Sequence, residues 1–216
     1  MSEDVTRVIA VRHGETAWNV ATRIQGQLDI GLNATGREQA QRLAAALAGE
    51  GLDAVYASDL TRARDTGAAV ARAAGLALQT DTGLRERGFG VFEGLTFAEI
   101  ETRFPDEARR WRQRDAGFGP TGGETLVAFY RRAVDAVGTL AARHRGQHIA
   151  VVAHGGVMDA LYRAATRVAL DAPRTWQVGN ASINRLLASE AGFVLVGWAD
   201  DAHLEGASLD EFGASA

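Results

Sequence analysis

The chain contains no cysteine, which excludes disulfides, thiolate metal sites and cysteine nucleophiles. It also contains no lysine, so all 23 basic residues are arginine. That removes the P-loop lysine, the Schiff-base lysine and the protein-kinase lysine in one step. Genomic base composition accounts for the preference, yet any anion chemistry must still rest on arginine and histidine. Long apolar runs are missing too. The longest stretch free of Asp, Glu and Arg is Gly146–Met158, far short of the ~20 residues that a spanning helix needs. The opening Met1-Ser2-Glu3-Asp4 is acidic, and no hydrophobic signal core follows it. The expectation is a protein of the cytoplasm with no membrane partner.

The chain has 216 residues, of which 46% are hydrophobic, too many for a disordered protein. Its net charge of −4 argues against a nucleic-acid partner. At roughly 150 residues per domain, the length fits a single domain over 1–216.

Apolar runs and helical spacings alternate along the chain. Val8–Val11 has the character of a buried strand, and a polar loop from Arg12 to about Gly31 follows. Thr35 and Glu38 form a capping-box pattern ahead of Ala40, Leu43, Ala44 and Leu47. Ala54–Ala57 reads as a strand, Ser58 as a cap and Leu60–Ala74 as a helix stopped by Gly75, with Leu76–Leu78 as a further strand. Residues 81–123 are irregular, with short helices expected from Thr96 (capping box with Glu99) and from Asp106. A long helix is expected over about Glu124–His144, a strand over Ile149–Ala153 and a helix to about Thr166. Two late strands, Ile183–Ala188 and Phe193–Trp198, suggest a hairpin. The order predicts an α/β fold, a three-layer αβα sandwich around a largely parallel sheet. Residues 81–123 form a lid-like excursion, and 206–216 a frayed tail.

Ligands of such sheets bind beyond the carboxyl ends of the strands. Two strands run into a histidine next to glycine, Arg12-His13-Gly14 and His154-Gly155-Gly156. A third, Ala54–Ala57, delivers Arg62 near a helix N-terminus. Two arginines, two histidines and free backbone N–H groups describe a pocket for a dianion such as phosphate, because the planar guanidinium pairs with phosphate oxygens in two places.

These residues resemble the histidine phosphatase superfamily, also called the phosphoglycerate mutase-like family. The match begins with Val11-Arg12-His13-Gly14-Glu15-Thr16, Trp18-Asn19 and Arg23-Ile24-Gln25-Gly26. It continues through Ser58-Asp59-Leu60-Thr61-Arg62-Ala63, Leu84-Arg85-Glu86, Glu93-Gly94-Leu95-Thr96 and Gly122-Gly123-Glu124-Thr125. Val152-Ala153-His154-Gly155-Gly156 and Asn180-Ala181-Ser182-Ile183 complete it. The ordered series spans about Val8 to His203. A lone Arg-His-Gly would be weak evidence; the ordered series is specific.

The resemblance implies the following roles. His13 would attack phosphorus and form a phosphohistidine. Arg12, Arg62 and His154 would clamp the phosphoryl oxygens. Glu86 would be general acid and then general base. Asn19, Gln25, Gly26 and Gly155 would complete the phosphate pocket. One ring nitrogen of His13 should be held by a backbone carbonyl, leaving the other unprotonated. No metal and no cofactor are expected, and the partner is a small phosphorylated metabolite, with inorganic phosphate or sulfate able to occupy the same place. Oligomeric state is left open.

Several neighbours have plainer readings. Glu86, between Arg85 and Arg87, would otherwise be a surface charge pair. Glu15 is expected to hold Arg12 or a backbone N–H, and Trp18 to pack. Arg109, Arg110, Arg112 and Arg114 are expected on a solvated helix face rather than lining a lid. His144 and His148 are expected at the surface, and His203 away from the pocket.

Mutases of this family, which use 2,3-bisphosphoglycerate, carry a longer middle insertion and a Glu-Arg-His-Tyr segment. The matching stretch here is Glu86-Arg87-Gly88-Phe89. The small phosphatase branch fits better than a phosphoglycerate mutase, and a catalytically silent phospho-ligand binder fits least.

Overall fold

The computed structural model describes residues 5–205, so the expected frayed tail lies outside the described residues. The elements are β1 (Thr6–Arg12), α1 (Ala17–Val20), α2 (Ala34–Leu47), β2 (Ala54–Ala57), α3 (Thr61–Ala73), β3 (Leu78–Thr80), α4 (Phe97–Arg103), α5 (Pro105–Arg112), α6 (Leu126–Ala142), β4 (His148–Ala153), α7 (Gly155–Thr166), β5 (Ile183–Ser189) and β6 (Gly192–Asp200).

One sheet of six strands runs in the order β3-β2-β4-β1-β5-β6. The pairs β3–β2, β2–β4 and β4–β1 are parallel. β5 runs antiparallel to β1, and β6 returns from it as the expected hairpin. The two central strands, β1 and β4, are therefore the two that end in histidine.

Helices cover both faces of the sheet. Val8 and Ala10 of β1 and Ile149, Val151 and Ala153 of β4 face Phe129, Ala133 and Val137 of α6 and Val157 and Leu161 of α7. Ile9, Val11, Ala150 and Val152 face Leu43 and Leu47 of α2 and Ala63 and Val70 of α3. A strand covered on both faces reads as an unbroken apolar run, which is why Ile149–Ala153 was legible as β4. Within 81–123, Phe92, Ile100, Ala108 and Phe118 build a small cluster of their own, with Trp111 tilted on Phe89 and Phe92.

The caps differ from expectation. α2 starts one residue before Thr35, because Asn33 accepts the Gly36 N–H at 2.7 Å and so caps the helix; Glu38 turns outward to Arg42. α3 starts at Thr61, and Ser58 accepts only the Leu60 N–H. The first turn of α3 is tied instead by Asp29, whose carboxylate accepts the Thr61 N–H at 2.7 Å and its hydroxyl at 2.8 Å. β3 falls two residues later than expected, because Leu76 donates its N–H back to Ala71 O around left-handed Gly75. His148 is buried rather than superficial, its Nδ1 bonded to the Glu50 carbonyl oxygen.

The loop after β1 lies against α2 with no room for a side chain. A Cβ on Gly36 would stand 2.0 Å from Glu15 O, and one on Gly14 would stand 2.4 Å from Gly36 O. Gly36→Ala is expected to cost about 1–3 kcal/mol by overpacking, lowering Tm by roughly 2–12 °C. Differential scanning calorimetry checks this, and an unchanged Tm would contradict the close packing of the loop.

Candidate active site

At the carboxyl ends of β1, β2 and β4 the structure gathers most of the residues singled out above around a cavity of about 250 Å³. Arg12, His13, Asn19, Gln25, Gly26, Arg62, Glu86 and Gly155 all line it. His154 does not. It is fully buried behind the cavity wall, its ring centroid 5.2 Å from that of His13 in an edge-on arrangement. Two larger hollows elsewhere have no histidine in their lining.

The backbone at the end of β1 is held on several sides. His13 donates its N–H to Ala153 O at 3.0 Å, extending the β1–β4 ladder by one rung. Ala181, in the left-handed region at φ 54°, donates its N–H to Arg12 O, and Asn180 donates from Nδ2 to His13 O at 2.9 Å. Gly14 N–H goes to Thr66 Oγ1, which in turn bonds Arg62 O. The expected carbonyl is present: His13 Nδ1 lies 2.7 Å from Gly14 O. A carbonyl only accepts, so Nδ1 carries the proton and Nε2 is the basic nitrogen. Burial, then the charges of Arg12 and Arg62, push the His13 pKa well below its usual 6.5. Burial, with Arg62 as the foremost charge, does the same to His154. Both rings are neutral at pH 7.

The two arginines are held by carbonyl oxygens rather than carboxylates. Arg12 Nη1 donates to Val178 O at 2.6 Å. Arg62, with no exposed surface, donates to Leu28 O at 2.8 Å and to Gly26 O at 2.7 Å. Among the described residues, Nε of each, both ring nitrogens of His154 and Oε1 of Gln25 are buried without a partner. Leaving such groups unpaired costs about 1–3 kcal/mol each. Asn19 spends Oδ1 on the Thr16 N–H, so its amino end is free. Burial lowers the pKa of both arginines, offset in part by Glu86.

Glu86 is not part of a surface charge pair. Arg85 turns to Asp59, and Arg87 is buried with its guanidinium on Glu124 O and Phe118 O, its pKa lowered by burial to about 10. The Glu86 carboxylate accepts the Gly156 N–H at 3.0 Å and the Arg87 N–H at 2.9 Å. Glycine at 156 leaves room for this carboxylate, because a Cβ there would stand 2.2 Å from Glu86 Oε1 and displace it.

Other expectations fare variously. Trp18 packs on Gly94 outside the cavity. Glu15 holds neither Arg12 nor a backbone N–H; its carboxylate accepts from Asn33 Nδ2, since the capping residue of α2 reaches it first. Arg109, Arg110 and Arg112 are ion-paired at the surface of α5 and beyond it with Asp106, Asp115 and Glu101. Arg114 bonds Asp159 instead. His203 lies off the cavity. Sequence reasoning missed Arg23, Phe89, Arg174 and Val178 as lining residues. Arg23 and Phe89 stand inside quoted motifs, but Arg174 and Val178 offered no strand-end or spacing signal.

The profile of the histidine phosphatase superfamily (branch 1) matches residues 8–201. The chain belongs to this superfamily. It is 39% identical to Phosphoglycerate mutase-like protein 4 of Arabidopsis thaliana over 94% of this chain and 90% of that one. It is 35% identical to the Metal-independent phosphoserine phosphatase of Arabidopsis thaliana over 94% of this chain and 85% of that one. Among solved structures, a mycobacterial glucosyl-3-phosphoglycerate phosphatase in complex with VO3 superposes with a TM-score of 0.79 at 33% identity, covering 90% of this chain and 99% of that one. Among the described residues, no cluster of three His, Asp or Glu side chains could hold a metal ion, and no helix is long and apolar enough to cross a membrane.

His13, His148, His154 and His203 all have pKa values lowered by burial in this histidine phosphatase. Below pH 6.5 the unfolded chain binds protons that the folded chain refuses, so stability falls as pH drops through that value. The urea midpoint is expected to be lower at pH 5.5 than at pH 7.5. An unchanged midpoint would contradict the burial of neutral imidazoles.

Proposed function

We propose that the protein is a phosphatase that hydrolyses small phosphate monoesters through a phosphohistidine at His13, without a metal. The observation that carries this reading is the His13 ring, its Nδ1–H spent on Gly14 O and its Nε2 left for a cavity walled by Arg12 and Arg62. A neutral imidazole keeps the lone pair that attack requires.

In the first step His13 Nε2 attacks phosphorus. The N–P bond forms as the ester P–O bond breaks, and the leaving oxygen takes a proton from Glu86 to depart as an alcohol. Water then attacks phosphorus and gives its proton to the Glu86 carboxylate. The P–N bond breaks, and inorganic phosphate and neutral His13 result. Arg12 and Arg62 meet the charge on the equatorial oxygens, which supplies electrostatic stabilisation without a cation. His154, buried behind the cavity wall, meets His13 edge-on and supports the nucleophile's ring from behind, and the free amino end of Asn19, Gln25 and the backbone at Gly155 supply further donors. Gly26 contributes mainly through its carbonyl, which aims Arg62.

Transfer to water rather than to a second substrate hydroxyl is supported by Glu86-Arg87-Gly88-Phe89 in place of the mutase segment and by the phosphatase names of two of the three relatives reported above. The relative named metal-independent supports catalysis without a metal.

Phosphate release from p-nitrophenyl phosphate should be unchanged by EDTA and reduced at least a thousandfold in His13→Ala. Loss with EDTA, or turnover persisting in His13→Ala, would overturn the reading. Interconversion of 2- and 3-phosphoglycerate stimulated by 2,3-bisphosphoglycerate would replace it with a mutase. Glu86→Gln should slow alkyl phosphates, whose leaving oxygens need a proton, by about 10²–10⁴-fold, and aryl phosphates much less. Equal loss on both would remove Glu86 from the proton-transfer role.

A further inference from the structure

Glu86 carries the proton chemistry, yet it belongs to no helix or strand. The single turn Thr82–Leu84 ends before it, and the chain stays irregular as far as Gly90. Arg85 and Gly88, which flank it, line a separate hollow of about 560 Å³, so part of this segment is backed by open space rather than by core. An acid on such a loop is imprecise unless neighbouring side chains lock the backbone that carries it.

One side chain of α6 supplies that lock. A guanidinium has five N–H groups, and Arg132 spends all of them. Nη1 donates to Gly83 O at 2.8 Å and to Arg85 O at 2.9 Å, and Nη2 donates to Glu86 O at 3.2 Å. Nε and the second Nη2 proton meet the two carboxylate oxygens of Glu124 at 2.8 and 2.7 Å. Glu124 then closes the grip beyond Glu86. Its carboxylate accepts the Gly88 N–H at 2.8 Å, and its own N–H goes to Gly88 O at 2.8 Å. Phe129, one turn before Arg132 on the same helix, is buried with its ring centroid 5.2 Å from the guanidinium carbon.

The backbone of the acid and its carboxylate are thus held by different groups. Arg132 and Glu124 fix the chain at Gly83, Arg85, Glu86 and Gly88, whereas the carboxylate accepts from Gly156 and Arg87. The charge of Arg132 is matched by Glu124, so the pair acts on Glu86 through geometry. We propose that Arg132, locked by Glu124, is the positioning residue for Glu86 and sets where its proton meets the leaving oxygen. Lysine, with three donors on a flexible stem, cannot reproduce this fork. The proposal rests on the phosphatase reading, in which Glu86 is the acid, and adds the device that aims it.

The test follows kcat across p-nitrophenyl phosphate, phenyl phosphate and glycerol 3-phosphate, whose leaving oxygens depend increasingly on a proton. Arg132→Met should lower kcat on glycerol 3-phosphate by about 10- to 100-fold, the cost of misplacing a reacting group by about 1 Å, and on p-nitrophenyl phosphate much less. Added to Glu86→Gln, the same substitution should cause little further loss, because the proton transfer that it serves is already gone. Arg132→Lys and Glu124→Gln keep most of the side-chain volume. They should show the same split in smaller measure, and they decide the matter if Arg132→Met does not fold. No loss, equal losses on all three esters, or losses that add fully to those of Glu86→Gln would overturn the assignment and leave Arg132 a support of the fold. If Glu86→Gln itself slows all three esters equally, the acid role fails and the proposal falls with it. If Glu86→Gln shows the split and the Arg132 variants do not, the positioning role alone fails.

Discussion

The constraint on which this site depends is the burial of positive charge without neutralising it. Arg62 has no exposed surface and Arg12 is partly buried, and among the described residues neither makes an ion pair. Their donors are met by the carbonyl oxygens of Val178, Gly26 and Leu28. A carbonyl satisfies an N–H through its dipole but leaves the net charge in place. Elsewhere in the molecule the same residue type is neutralised: Arg132 by Glu124, Arg163 by Asp159, Arg85 by Asp59. The contrast separates arginines that stabilise the protein from those that await an anion. Two buried neutral imidazoles complete the arrangement, because protonated rings there would add like charge to like.

Holding such a cluster requires loops that fold around guanidinium groups, and the sequence supplies them at long range. Gly26 adopts φ 51° so that its carbonyl can meet Arg62. Left-handed Ala181 aims its N–H at the end of β1 while Val178, three residues earlier, aims its carbonyl at Arg12. Gly14 and Gly36 let the loop after β1 lie directly on the first turn of α2. The rigidity of His13 therefore comes from four separate segments and not from the β1 terminus alone.

Much of this was legible in the sequence. Runs such as Ile149–Ala153 marked the central strands because both faces are covered, and His13 and His154 met because β1 and β4 are neighbours in the parallel order. Glu86, which sat between two arginines and invited a surface reading, proved to be turned inward by the Gly156 N–H. What escaped was non-local. Asp29 ties the first turn of α3 from more than thirty residues away, and no local pattern announces it. Asn33, which the capping-box pattern at Thr35 overlooked, caps α2 because its carboxamide oxygen accepts the Gly36 N–H. Arg174 lies in a segment with no helical or strand period, whose carbonyls at Ala169, Leu170 and Ala172 are held by Arg163 and Arg114.

The most direct measurement is rapid quenching of the protein with a phosphate monoester, followed by mapping of the covalent phosphate. The account predicts an acid-labile, base-stable phosphate on Nε2 of His13 that forms and decays at rates consistent with turnover. Turnover with no phosphorylated intermediate, or with phosphate mapped to any other side chain, would contradict it.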